Sequence, residues 1–277
     1  MLRPLPPDPH DDSRSSSGDE LVLTFLFGVL LAGVLGVLVL DFRALMGRSI
    51  DFDIPFLRTT DITAPIAPAR QNDQIRRYSP QVRVDFGPNG RTNLPGVSGN
   101  PDVLLSGSMT FHHAGDGVAS AVGLIDDGTH ERFLAFLQTH RGEDAVRTLY
   151  LHSPGGSVRD AIDMARHIRE ARISTVIAQH GYCASSCPLV LSGGFERSIE
   201  TPAALGVHQV FTSDTAIGTL QEGIANAQAV SAEAQMLLVD MGVDPRAWIE
   251  AMATPKDRLY LFTEQEIEDF GWTTSDR

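Results

Sequence analysis

The sequence is poor in residue types that several common functions require. Lysine occurs once, as Lys256, although lysine and arginine together number 22. The 35 acidic residues bring the formal net charge to −13, which argues against a nucleic-acid partner because such partners bind basic surfaces. Lys256 does not belong to a phosphate-binding motif of the form Gly-x-x-x-x-Gly-Lys-Ser/Thr, so the chain has no ATPase motif of its own.

Cysteine is nearly as scarce, with Cys183 and Cys187 as the two examples. Two cysteines are too few for a disulfide scaffold, and they lack the second ligand pair that a structural zinc site needs. We therefore predict no metal site, and no motif in the sequence calls for a cofactor.

The composition divides the 277 residues into four parts, of which one is large enough for a packed domain. Residues 1–20 are rich in Pro, Ser and Asp and predict a disordered tail. Residues 21–40 form an uncharged apolar run. Residues 41–101 contain repeated Pro, Gly and Asn and predict a flexible tether, with one short strand at residues 81–86. The globular domain is expected to cover residues 102–277.

The apolar run from Leu21 to Leu40 predicts a single transmembrane helix, because a helix of about 20 residues spans about 30 Å of hydrocarbon. A cleavable signal peptide has a shorter apolar core and a small-residue cleavage site, which the segment after Asp41 does not offer. We therefore expect an uncleaved anchor in the lipid bilayer. Two arginines precede the apolar run and two follow it, so the positive-inside rule does not assign the orientation of the helix.

After Asp102 the pattern changes to alternating apolar strands and amphipathic helices, which predicts an α/β domain with right-handed parallel units. We find no internal repeat. The predicted strands are Val103 to Phe111, Ala119 to Leu124, Thr148 to His152, Ser174 to Ala178 and Ala204 to Phe211. The predicted helices are Gly128 to His140 and Val158 to Glu170, with a helix-rich region from Gly218 to Phe270.

Three short motifs follow or end these strands: Ser-Pro-Gly-Gly-Ser at 153–157, Gly-Tyr-Cys-Ala-Ser-Ser at 181–186, and Leu-Gly-Val-His-Gln at 205–209. In this order and spacing they resemble the ClpP-type serine peptidases of the ClpP/crotonase superfamily, in particular their membrane-anchored or periplasmic relatives. The resemblance covers roughly residues 102–271. It implies a ClpP/crotonase-like fold of repeated β-β-α units, here preceded by a transmembrane helix and a tether.

The resemblance also implies a catalytic set. Carried onto this sequence, it makes Ser185 the nucleophile, His208 the general base and an acidic residue near the C-terminus the group that orients the histidine. We assign that acid to Asp257, although counting back from Phe270-Gly271 reaches Leu259 unless two residues are inserted. The reserve acids are Asp244, Glu250 and Glu264, and Ser186 is the alternative nucleophile.

Elementary chemistry supports such a set. A serine hydroxyl becomes a good nucleophile when an imidazole accepts its proton and a carboxylate fixes the imidazole tautomer. Glycines let the backbone approach the substrate carbonyl, so we assign the oxyanion hole to the N–H groups of Gly156 or Ser157 and of Ser186. His208 has the alternative role of a buried structural histidine, and the other histidines are interpreted as surface or structural.

Cys183 and Cys187 flank the proposed nucleophile four positions apart. If the segment turns into a helix there, their Cα atoms lie about 6 Å apart, which is within the range of a disulfide. Such a disulfide would favour the periplasmic side of an inner membrane. Two small buried apolar residues, or a cysteine nucleophile, are the alternatives.

The sequence thus predicts a membrane-anchored serine endopeptidase that acts on polypeptides, with homo-oligomerisation expected from the resemblance alone. One alternative is a catalytically inactive binding or assembly module with the same fold. Another is crotonase-like thioester chemistry, although no feature calls for coenzyme A. A Ser-Lys dyad is disfavoured because Lys256, the sole lysine, has no matching motif around it.

Overall fold

The computed structural model describes residues 17–45, 74–80, 91–210 and 220–274. The chain divides into two compact units, Met1–Ile62 and Thr63–Arg277. The strand predicted at residues 81–86 and most of the predicted N-terminal tail lie outside the described residues.

The described part of the first unit is a single helix, α1 (Ser17–Leu45). Its segment Leu21–Leu40 has a mean hydropathy of 2.7 over the most apolar window, and none of that window is buried against protein. A helix whose apolar side chains are exposed all round suits a hydrocarbon surrounding. The helix is long and apolar enough to cross a membrane.

The second unit contains a five-stranded mixed sheet with the strand order β2-β3-β4-β5-β7. Its strands are β2 (Thr110–Gly115), β3 (Val118–Val122), β4 (Thr148–His152), β5 (Ser174–Ile177) and β7 (Arg197–Ile199). The β2–β3 pair is antiparallel, whereas the other three pairs are parallel. Most residues of β3, β4 and β5 are buried, as is usual for parallel strands inside an α/β domain.

A four-stranded mixed sheet with the order β1-β9-β8-β6 carries two of the three motifs. Its strands are β1 (Ile75–Arg77), β6 (Tyr182–Ala184), β8 (Ala204–Val207) and β9 (Arg258–Leu261). The β6–β8 pair is parallel, and β9 pairs antiparallel with both β8 and β1. The sequence motifs at residues 181–186 and 205–209 therefore come from adjacent strands.

Six helices complete the described part of this unit, and the longest are α3 and α5. They are α2 (Thr129–Thr139), α3 (Val158–Glu170), α4 (Cys187–Ser192), α5 (Leu220–Met241), α6 (Ala247–Ala253) and α7 (Glu264–Asp269). Helix α3 begins where the Ser157 hydroxyl accepts a hydrogen bond from the N–H of Asp160, and its apolar face is buried in the main core.

The α/β class is confirmed, and the predicted β4 and α3 have the observed bounds. The strand predicted at Val103 to Phe111 is wrong over residues 103–109, because β2 begins at Thr110. Residues Pro101–Leu104 form a 3₁₀ turn, in which Asn100 accepts a hydrogen bond from the N–H of Asp102. Proline at the first turn and an asparagine cap favour a helical start over an extended strand.

The folded unit also begins earlier than the expected boundary at residue 102. Residues 75–77 of the predicted tether form β1, and Thr92 and Leu94 are buried against the domain. A strand of three residues is too short to produce a recognisable pattern, which is why the sequence did not indicate it.

Candidate active site

Ser185 lies at a sharp turn between β6 and α4. Its φ is +61°, a left-handed conformation that costs a non-glycine residue about 1 kcal/mol or more. The Ser185 N–H donates to the carbonyl of Gly206 in the neighbouring strand β8, at 2.9 Å. A strained serine between a strand and a helix is the arrangement that presents a nucleophile to a substrate.

A disulfide joins Cys183, in β6, to Cys187, the first residue of α4. The two Cα atoms are 5.2 Å apart, and both residues are fully buried. The bridge closes the turn that carries Ser185, and it removes both thiols as nucleophiles in this form of the protein.

The Ser-Pro-Gly-Gly-Ser segment is held along the strand that ends at the nucleophile. The Ser153 N–H donates to the carbonyl of Tyr182 at 2.7 Å, and the Ala184 N–H donates to the carbonyl of Ser153 at 3.0 Å. The Ser153 hydroxyl donates to the carbonyl of Gly123 and accepts from the N–H of Gly155. These bonds fix the loop beside the nucleophile turn.

Gly155 brings the loop into direct contact with that turn. Its φ is +91°, and a Cβ atom there would lie 2.5 Å from the Cβ of Ser185 and 2.5 Å from the carbonyl oxygen of Ala184. Only the absence of a side chain allows two backbone segments to approach this closely. The position therefore requires glycine for both conformation and space.

Of the predicted oxyanion donors, some already donate hydrogen bonds within the protein and others do not. The Ser157 N–H donates to the carbonyl of Ile125 at 2.5 Å, and the Ser157 hydroxyl donates to Asp160 at the start of α3. Neither group is available to a substrate. The N–H groups of Gly156 and Ser186 make no hydrogen bond within the described part of the chain, and Gly156 is exposed. They are the two donors that remain for an oxyanion.

His208 directly follows β8 and is 3% exposed. Its Nδ1 lies 2.9 Å from the carbonyl oxygen of Gln209. Because a carbonyl only accepts, Nδ1 carries the proton and Nε2 carries the lone pair in the neutral ring. Burial lowers the pKa of His208, although the Gln209 carbonyl opposes that shift. The ring is therefore neutral at physiological pH and can accept a proton.

The structure does not bring the carboxylate of Asp257 to this imidazole. Its side chain is 73% exposed and lies 3.8 Å from Nε of Arg258. Extending the register in which Val207 faces Tyr260 places Leu259 opposite His208. The backbone carbonyl of Gln209 thus occupies the place at Nδ1 that a triad carboxylate would take.

The reserve acids also lie elsewhere. Asp244 accepts hydrogen bonds from the Arg246 guanidinium, Glu264 begins α7, and Glu250 lies on α6. None of the three lines the cavity that contains Ser185 and His208. Lys256, the proposed base of a Ser-Lys dyad, is exposed and does not line that cavity either.

Ser185, His208 and the glycine pair Gly155-Gly156 share one cavity of about 600 Å³. Much of its remaining wall is apolar. The apolar wall residues are Leu124, Ile125, Val158, Val210, Val230 and Trp248. A cavity of this size with a few convergent polar groups is typical of a ligand site. Within the described ranges, no group of three or more His, Cys, Asp or Glu side chains is placed to hold a metal ion.

Tyr78 completes the site, and the sequence did not indicate it. It follows β1 in the segment predicted to be tether, where no motif marks it. Its hydroxyl donates to the carbonyl of Pro154 at 2.5 Å and lies within hydrogen-bonding reach of the Ser185 hydroxyl. Its ring centroid is 4.6 Å from that of His208.

A hydroxyl at a strained turn, a buried neutral imidazole and two backbone N–H groups thus meet at one cavity. These are the groups that acyl transfer through a covalent intermediate requires. The cavity lining also includes charged residues, namely Asp126, Asp127, Arg159 and Asp160. No model of a known protein family matches the chain, and no curated protein matches it.

Proposed function

We propose that the protein is a membrane-anchored serine peptidase with a ClpP/crotonase-like domain. The observation that carries the proposal is the contact between the Ser185 turn and the Gly155-Gly156 loop, in the cavity that also holds His208. In this proposal Ser185 is the nucleophile, His208 is the base, and Gly156 and Ser186 supply the oxyanion donors; all four residues line that cavity. The resemblance of the three motifs to ClpP-type peptidases agrees with that chemistry.

In the proposed mechanism, Ser185 Oγ attacks the carbonyl carbon of a peptide bond and its proton passes to Nε2 of His208. The N–H groups of Gly156 and Ser186 stabilise the oxyanion. The C–N bond then breaks, and the imidazolium returns its proton to the leaving amine. Water, deprotonated by the same imidazole, hydrolyses the acyl-enzyme and restores Ser185.

The Gln209 carbonyl takes over the orienting role that was assigned to Asp257. It accepts the Nδ1–H of His208 and so keeps the imidazole in the tautomer whose lone pair is on Nε2. That lone pair lies on the opposite side of the ring from the Gln209 carbonyl. A neutral carbonyl stabilises the imidazolium less than a carboxylate does. We therefore expect slower turnover than in a complete Ser-His-Asp triad.

Within residues 91–210, no hydrogen bond joins the Ser185 hydroxyl to the His208 ring. The Ser185 hydroxyl is near enough to Tyr78 to oppose the rise in the pKa of that phenol. Attack requires this hydroxyl to donate to Nε2 of His208. Such hydrogen bonds often tighten only when substrate is bound.

A polypeptide substrate fits the cavity in an extended form. Gly156 is exposed, and it already forms a parallel bridge with Ile125 on one side. A substrate strand would pair with the opposite edge of this loop, while its side chains contact the apolar wall. The disulfide favours an oxidising compartment, hence a domain on the periplasmic side of an inner membrane.

A second candidate function is an inactive binding module with the same architecture. The observation that favours it is the side chain opposite His208, which is Leu259 where the family places an acid. In such a module the cavity would bind a polypeptide without cleaving it.

Reaction with a fluorophosphonate probe tests the peptidase proposal. We expect the full-length protein in detergent to form a covalent adduct on Ser185. The Ser185→Ala variant should form none, whereas Ser186→Ala, which removes the buried neighbouring hydroxyl, should still react. An unlabelled wild-type protein whose folding is verified by circular dichroism would support the inactive module instead.

The labelling rate should also depend on pH in a defined direction. Only neutral His208 accepts the Ser185 proton, so the rate rises as pH increases through the pKa of His208. Because burial lowers that pKa from 6.5, we expect half-maximal labelling below pH 6.5 and a plateau at neutral pH. Initial labelling rates measured across this range check the prediction, and a midpoint above 6.5 would contradict it.

A further inference from the structure

Tyr78 directly follows β1, the edge strand of the four-stranded sheet. The main chain of β1 pairs with β9, and the Tyr78 N–H donates to the carbonyl of Asp257 at 3.0 Å. Further back, the side chain of Gln74 donates to the Tyr260 hydroxyl at 2.7 Å and to Glu266 at 2.6 Å. These contacts fix the backbone on either side of β1, so the Tyr78 side chain has a defined position.

The ring of Tyr78 packs on the imidazole of His208. The two rings are tilted by 39°, and their centroids are 4.6 Å apart. The Gln209 carbonyl holds one edge of the imidazole, and the tyrosine ring restricts its rotation. A general base contributes to the rate only when it is held within reach of the proton that it accepts.

The hydroxyl of Tyr78 connects two other parts of the site. Burial raises the pKa of Tyr78 well above its usual range, although the contact with Ser185 opposes that shift, so the side chain is a neutral phenol. Its single proton goes to the Pro154 carbonyl, which can only accept. Toward Ser185 the phenol oxygen can therefore only accept, so any hydrogen bond between the two hydroxyls must be donated by Ser185.

We propose that Tyr78 is a positioning residue of this site, whose ring holds the His208 imidazole and whose hydroxyl joins the glycine loop at Pro154 to the Ser185 hydroxyl. This inference rests on the proposed function. Tyr78 would then help to orient His208, which the predicted acid does not contact. Tyr78 lies before residues 102–271, the region that resembles the family. Tyr78 touches all three parts of the site, namely the nucleophile, the base and the oxyanion loop.

Two variants separate the contributions of the ring and the hydroxyl. Tyr78→Ala removes both, and Tyr78→Phe keeps the ring. A positioned base supplies about 10²–10⁴-fold in rate, so we expect Tyr78→Ala to reduce the maximal labelling rate of Ser185 about 10-fold or more, with little change in probe affinity. Tyr78→Phe should restore most of that loss, to within about threefold of wild type.

Tyr150→Ala is the matched control for lost aromatic packing. Tyr150 lies on β4 in a separate apolar cluster and does not line the cavity. Its truncation should lower thermal stability without changing the maximal labelling rate of the folded protein. Labelling of Tyr78→Ala at or above the wild-type rate would overturn the inference, since Tyr78 would then shield the serine rather than position its base.

A second measurement tests the positioning role of Tyr78 even if the wild-type protein is not labelled. Nitrogen-15 NMR of the His208 ring, assigned with a His208→Asn variant, reports the tautomer directly. We expect one tautomer, protonated at Nδ1, in wild type and in Tyr78→Phe, and a mixture in Tyr78→Ala. A single unchanged tautomer in Tyr78→Ala would refute the positioning role, whereas absent labelling alone would refute only the peptidase proposal.

Discussion

Replacing Gly155 with alanine is expected to abolish fluorophosphonate labelling of Ser185 and to lower the free energy of unfolding by about 3 kcal/mol or more. The new Cβ would lie 2.5 Å from both Ser185 Cβ and the Ala184 carbonyl oxygen, and 2.8 Å from the Ser186 nitrogen. These are backbone or near-backbone atoms, so the clash can be relieved only by separating the loop from the turn.

Gly142→Ala provides the matched control. Gly142 also has a positive φ, +69°, but nothing lies within 4 Å of its Cβ position. Its substitution should lower the free energy of unfolding by about 1 kcal/mol, the cost of a left-handed alanine, and leave labelling unchanged. Urea unfolding together with labelling rates checks both variants. Equal changes in unfolding free energy and labelling rate for the two variants would contradict this prediction. They would show that only the left-handed backbone conformation requires glycine, and not the close approach of the loop to the Ser185 turn.

His208→Gln is expected to reduce the labelling rate of Ser185 by about 10³-fold or more, because His208 is the imidazole that lines the Ser185 cavity and accepts the serine proton in the proposed mechanism. Glutamine fills a similar volume and can still meet the Gln209 carbonyl, so we expect the protein to remain folded. Loss of labelling with an unchanged thermal midpoint would distinguish a lost base from a lost structure.

His140→Gln is the control for a general effect of histidine removal. His140 lies at the end of α2, stacked on His113, and does not line the cavity. Its substitution should leave the labelling rate within about threefold of wild type, as expected for a site away from the chemistry. If His208→Gln also retained the wild-type rate, the base would have to be another group.

Local patterns predicted much of the fold. The β4 strand and the α3 helix have the bounds that their apolar spacing indicates, because both are long enough for a period to be visible. The glycine loop was also recognisable, because Gly-Gly marks a turn directly after a strand. The nucleophile turn begins later than predicted, because Tyr182–Ala184 form β6 and the left-handed turn falls at Ser185.

The parts of the site that could not be predicted depend on contacts between distant segments. Tyr78 precedes Ser185 by more than a hundred residues, and it reaches the site through a strand of three residues. The choice between Gly156 and Ser157 as donor depends on one hydrogen bond to Ile125. The position of Asp257 depends on the register of β9, which no local pattern specifies.

Peptide-bond cleavage by Ser185 can be measured directly. Full-length protein in detergent can be incubated with a library of peptides from a digested proteome, and new termini identified by mass spectrometry. We predict new termini with the wild-type protein and none with Ser185→Ala. Equal cleavage by both proteins, or an intact library after incubation with folded wild-type protein, would contradict the proposed function.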